Sequence, residues 1–141
     1  AVSYSARGTK YGDVVRTSDV AITTDRSKNT GGKGQGVTST GLYMSALAVS
    51  CSQAVREAAK RMSLDDVRVE VNHNGDGTFT RLITLYGDLS DAEVETLRAA
   101  GAASTVDGYV KKGEIETTVE TASLERRRRQ NKLHRAERLG K

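Results

Sequence analysis

The 141-residue chain has no proline and no tryptophan, a single phenylalanine (Phe79) and a single cysteine (Cys51). The absence of proline excludes a PxxP-type ligand segment. One cysteine excludes an internal disulfide, and with it a disulfide-stapled secreted scaffold. Aromatics are 4% of residues, so Val, Leu, Ile and Ala must build the core. No apolar run approaches the ~18 residues of a membrane span. The first residues, AVSY, form neither the basic nor the apolar region of a secretion signal. A cytoplasmic setting without membrane contact is the expectation.

What is present divides by charge. Residues 122–141, ASLERRRRQNKLHRAERLGK, hold eight Lys/Arg against two Glu, a net of +6. The remaining fourteen basic and sixteen acidic residues leave 1–121 at −2. A body of that charge is not itself expected to bind nucleic acid. The tail presents Arg126, Arg127, Arg128, Arg129, Lys132 and Arg135 as candidates for an RNA or other polyanion, because clustered cations at phosphates gain from counterion release. The bland alternative is a solvated end, disordered or a helical extension. No aromatic interleaves with these cations, so base stacking by the tail is not indicated. The reading is one domain over 1–121 followed by the basic tail over 122–141.

Along the body, residues 2–24 read as strands punctuated by Gly8 and Gly12. Residues 25–37, DRSKNTGGKGQGV, read as a loop. Ser39 or Thr40 can cap a helix running to about Met62. Its apolar stripe at Met44, Leu47, Ala48, Cys51, Val55 and Met62 spreads to Leu42, Tyr43 and Val49, so its first half is expected to be buried on most sides. Val67 to Val71 alternates as a strand, and Asn74-Gly75-Asp76-Gly77 turns it into a return strand from Phe79 to Tyr86. Ser90 and Glu93 form a capping box for a short helix. Residues 101–113 read as a loop and 114–121 as a last strand. The order predicts α+β, with antiparallel sheets packed on a long central helix.

The segment 31–51, GGKGQGVTSTGLYMSALAVSC, resembles the OsmC/Ohr family, the organic-hydroperoxide-resistance and osmotically induced proteins. The likeness covers about residues 4–121. Arg7-Gly8 falls where that family carries its arginine turn, Cys51 where it carries the reactive cysteine, and residues 112–119, KGEIETTV, where it has its closing strand. The resemblance implies an intertwined homodimer with the site at its interface. It also implies a small hydrophobic peroxide as substrate and an external thiol as reductant. Two departures stand out. Thr40 and Gly41 replace the family's proline-glutamate pair at the helix start. Thr105 lies nearest the place of a second, resolving cysteine, which this chain lacks, so the family's two-cysteine cycle cannot run in it.

Two readings of Cys51 follow. As the nucleophile of a one-cysteine peroxidase it must be a thiolate, with Arg7 supplying the depressing charge. The peroxide would oxidise it to a sulfenic acid for an external thiol to reduce. As a packing residue it is one more small hydrophobe on an apolar stripe. The second reading makes the chain a catalytically degenerate binding protein, acting through its pocket or its tail. No cofactor or metal is expected. His73 and His134 are isolated, and 72–77 lacks a Glu at the twelfth position of a calcium loop, which here is Ile83. Residues 31–36 lack the Gly-Lys-Ser/Thr ending of a phosphate loop.

Overall fold

The computed structural model describes residues 1–123, 129, 132 and 133. Strands β1 (Val2–Ser5), β2 (Asp13–Thr17) and β3 (Val20–Thr24) form one antiparallel sheet in that order. The β2–β3 turn is tight enough to hold Ser18 at φ 48°. Then comes the loop 25–37, containing a 3₁₀ turn at Lys28–Thr30, and helix α1 (Ser39–Ala58). Strands β4 (Leu64–His73) and β5 (Phe79–Gly87) form a separate two-stranded antiparallel hairpin. It runs in register from His73 opposite Phe79 to Asp66 opposite Tyr86, with an irregularity between Leu64 and Asp66. Gly75 and Gly77, both at positive φ, make the turn the sequence calls for. Helices α2 (Asp91–Ala102) and α3 (Thr105–Lys112) follow the hairpin.

The α+β class and the central helix are as expected, and four local expectations need correcting. The α1 cap is Thr38, one residue before the candidates Ser39 and Thr40; its Oγ1 accepts from Gly41 N at 2.9 Å. The helix stops at Ala58, and a turn from Met62 N to Ala59 O at 2.9 Å carries the chain on. The expected loop at 101–113 is the end of α2 and then α3. Ser104 and Asp107 form a second capping box, and Gly113 in the left-handed region at φ 60° closes the helix. The expected strand at 114–121 does not form. Residues 113–123 belong to no regular element, and Ile115 and Val119 are each 90% exposed. Alternation makes a segment fit to pair, but no sheet edge among the described residues receives it.

Helix α1 lies against β4, α2 and α3. Its buried stripe is Leu47, Cys51 and Val55, spaced four apart on one face. Cys51, Val55, Ala59 and Leu97 form the core, surrounded by half-buried Val67 and Val69 of β4 and Ile83 and Leu85 of β5. Burying Leu97 fully contributes about 1.5–3 kcal/mol. The β1–β3 sheet supplies none of these residues. The α1 flank away from this stripe stays open at Val49, which is 53% exposed, whereas Tyr43, one turn before Leu47 on the stripe itself, packs on Phe79 with ring centroids 5.1 Å apart. Among the described residues, no helix is long and apolar enough to cross a membrane.

Candidate functional site

Cys51 sits in the middle of α1 and is fully buried. The reason is its place on the core stripe, opposite α2. There Gly101 presses so close that a Cβ on it would stand 3.1 Å from Cys51 Sγ and from Val55 Cγ2, and 2.7 Å from Ile83 Cδ1. Glycine at this point lets α2 approach α1 with the sulfur between them.

One charged group reaches this region from the sheet. Arg81 occupies the same strand face as Phe79, Ile83 and Leu85, the face turned to the core. Its Nη1 donates to Asp107 Oδ1 and its Nη2 to Asp107 Oδ2, each at 3.1 Å. Nη2 also donates to Gly101 O at 3.1 Å, and Nη1 to Leu47 O at 3.5 Å. The guanidinium therefore joins α1, α2 and α3 to β5. Asp107 is held in turn: its Oδ2 accepts from Ser104 N at 3.1 Å and from Ser104 Oγ at 2.7 Å. Ser50, next to Cys51, accepts from Val106 N at 3.1 Å. Helix α3 buries no residue of its own, so polar contacts dock it.

These surroundings set the thiol. Burial pushes the Cys51 pKa up, Arg81 pulls it down and Asp107 pushes it up again, for a net rise above the ordinary cysteine value. The Asp107 carboxyl goes the other way. Burial raises its pKa, but the bonds from Ser104 and Arg81 outweigh burial and hold it below the usual range.

Arg7 lies exposed in the turn between β1 and β2, and it is not among the charges that shift the Cys51 thiol. The charges acting on the thiol are Arg81 and Asp107, which the sequence reading did not single out. The signal for Arg81 was its position: a charge on the apolar parity of a strand. Thr105 opens α3. It borders, with Ser50, Val49, Gln53 and Val106, a groove of about 570 Å³ along the open flank of α1. Of the tail candidates, Arg129 and Lys132 are helical and exposed. Arg126, Arg127, Arg128 and Arg135 lie outside the described residues, as does His134. Among the described residues, no three His, Cys, Asp or Glu side chains group as metal ligands.

The glycine-rich loop is built around a carboxylate. Asp25, nearly buried, accepts from the backbone N–H of Arg26 at 2.7 Å, Lys33 at 3.0 Å and Gln35 at 3.3 Å. Burial raises its pKa, but these donors and the nearby Lys33 charge lower it further, to below the ordinary value.

No protein-family model matches the sequence, and no curated protein matches it. Two crystal structures share its fold. An osmotic-stress-induced and detoxification-response protein from Psychrobacter arcticus superposes with a TM-score of 0.59 at 19% identity, covering 77% of this chain and 87% of that one. An organic hydroperoxide resistance protein from Vibrio cholerae, with captopril bound in one of its active sites, gives a TM-score of 0.52 at 18% identity. That match covers 79% of this chain and 83% of the other. The architecture is therefore that of the OsmC/Ohr proteins.

Proposed function

We propose that this chain is an OsmC/Ohr-type protein in which Cys51 serves packing, so that it works by binding and not by peroxide reduction. The observation that carries this reading is the buried sulfur itself. A peroxidatic thiol needs a path for the peroxide and a charge that keeps it ionised. Cys51 has no exposed surface, and its thiol pKa is raised. The cation that acts on it, Arg81, is committed to Asp107. The missing resolving cysteine and helix-start glutamate point the same way.

The second reading, a one-cysteine peroxidase of small organic hydroperoxides regenerated by an external thiol, has one feature in its favour. Arg7 is exposed on a turn and makes no ion pair among the described residues, so it is free to act on the site of a second chain. Stopped-flow mixing of the purified protein with an organic hydroperoxide, followed by mass spectrometry of Cys51, separates the two. Unmodified Cys51 in the folded protein supports packing. Rapid, stoichiometric sulfenic acid formation that Arg7→Ala abolishes establishes the peroxidase.

A homodimer belongs to either reading. The core of one chain is small, the β1–β3 sheet has no part in it, and the α1 flank with Val49 lies open. Residues 114–121 keep the alternation of a strand and belong to neither sheet. A second copy supplies what each of these lacks. Sedimentation equilibrium giving only monomer would remove this part of the proposal. A single thiol places no demand on an oxidising compartment, which agrees with a cytoplasmic location.

A further inference from the structure

The charge of the body is itself divided. Residues 1–40 carry six Lys/Arg against three Asp, a net of +3, while 41–121 carry eight against thirteen, a net of −5. The second part holds the ion pairs Lys60–Glu57, Arg68–Glu70, Arg81–Asp107 and Arg98–Glu95. In the first part Arg7, Lys10, Arg26, Lys28 and Lys33 are all exposed and none forms an ion pair with a described residue. They sit on two adjacent loops, the β1–β2 turn and the loop after β3.

Tyr11 joins those loops. The Arg26 guanidinium lies over its ring, 4.0 Å from the centroid, and Lys10 Nζ stands 5.4 Å from the same centroid. The ring edge lies against Gly31, where a Cβ would come within 3.2 Å of Cε2. Tyr11 still exposes 39% of its surface. Stacking fixes the plane of Arg26 and leaves its N–H edge to the solvent, which lowers the entropy cost of binding an anion there.

The loop's amides are spent inward. Three of them donate to Asp25, whose carboxylate occupies the place an outside phosphate would take. The loop is thus no phosphate nest, and recognition falls to outward side chains. Several unpaired cations spread over two loops with an exposed aromatic among them match a flexible polyanion whose bases can stack. Asp13 is the remaining acidic group beside Tyr11, and Ser3 Oγ donates to it at 2.6 Å. We propose that the surface formed by Lys10, Tyr11, Arg26, Lys28 and Lys33 binds single-stranded nucleic acid. The proposal is independent of the chemistry of Cys51 and uses none of the cations of residues 122–141.

The test uses the full chain with Arg126, Arg127, Arg128 and Arg129 replaced by alanine, so that the tail does not mask the body. Fluorescence anisotropy with labelled oligo(U) and oligo(dT) of about 15 nucleotides is measured at about 50 mM and about 200 mM salt. We expect saturable binding that weakens steeply with salt. Adding Arg26→Ala, Lys28→Ala and Lys33→Ala should weaken it at least about tenfold at low salt. The log–log salt slope should fall by about 0.7 for each phosphate that is no longer neutralised. Tyr11→Leu should weaken binding several-fold with little change of slope, since stacking releases no counterions. Arg26→Lys should keep the slope and lose affinity. Lys60→Ala with Arg61→Ala, on the other part of the body, should change nothing. Circular dichroism checks that each variant is folded. Absence of binding at low salt overturns the proposal. So do folded loop variants that bind as tightly as their parent. Displacement of the oligonucleotide by polyglutamate as readily as by unlabelled RNA also overturns it, and assigns the surface to an acidic protein instead.

Discussion

Arg81 and Asp107 face each other fork to fork, Nη1 donating to Oδ1 and Nη2 to Oδ2, each at 3.1 Å. Their side chains retain 19% and 17% of their exposure, so the pair is largely screened from water. A charge so placed is costly alone and stable only when its partner stays.

Removing one partner should therefore cost more than the pair contributes. Arg81→Met leaves Asp107 without its cation and takes the Arg81 donor from the Gly101 carbonyl at the end of α2. A loss of about 3 kcal/mol is expected for a pair of this burial. Urea denaturation at neutral pH measures it. The pH dependence has a definite sign. The Asp107 pKa is lowered in the folded chain, so its contribution is complete above the unfolded value near 3.9 and fades as pH falls through the folded one. The gap between wild type and Asp107→Asn should therefore be full at pH 7 and shrink only below about pH 4.

Much of this arrangement could be read before any coordinates. The α1 stripe, the Asn74–Gly77 turn and the Ser90 capping box depend on local periodicity and turn chemistry, and each stands where expected. The position of Cys51 within α1 followed from the same stripe. Two signals were present and went unread. Arg81 interrupts the apolar parity of Phe79, Ile83 and Leu85, and Ser104 precedes Asp107 by three residues, as a capping box requires. What no local rule contains is that these two residues meet, because β5 and α3 are joined only by tertiary packing. The strand expected at 114–121 failed for a related reason. Its alternation is real, but a strand exists only against an edge, and this segment pairs with no edge of either sheet.

Gly101 tests whether the sulfur is a packing atom. In an open helix position Gly→Ala stabilises by about 1 kcal/mol. Here the added methyl would meet Ile83, Cys51 and Val55, so the sign should reverse to a loss of about 1–3 kcal/mol. Cys51→Ala removes one of the three obstacles. The double variant should therefore be less destabilised than the sum of the singles, with a coupling of about 0.5 kcal/mol or more. Strict additivity in chemical denaturation would show that Gly101 and Cys51 do not share this space.

Asp25 should govern the order of its loop. Asp25→Ala withdraws the acceptor from the amides of Lys33 and Gln35. Those amides should then exchange with solvent much faster, while amides in the middle of α1 keep their protection. Because the Asp25 pKa is lowered, acid should reproduce the effect only below about pH 4, where the carboxylate takes up its proton. Hydrogen exchange followed by NMR distinguishes this from general loosening.

The reactivity of Cys51 should answer to Asp107. Burial is the largest influence on the thiol and raises its pKa, and Arg81 and Asp107 act on it in opposite senses. In wild type, alkylation by iodoacetamide should remain slow at neutral pH and rise only above about pH 8.5, the free-cysteine value. Asp107→Asn removes the negative charge while keeping a side chain able to accept from Arg81. The uncompensated guanidinium should then lower the thiol pKa, moving the alkylation profile to lower pH. Arg81→Met should move it to higher pH. A merely structural role for the pair predicts a different pattern: both variants would loosen the core and speed alkylation alike, with no opposed movement of the pH midpoint. Profiles that shift in opposite directions, in variants that remain folded by circular dichroism, would establish that this ion pair sets the ionisation of the buried thiol.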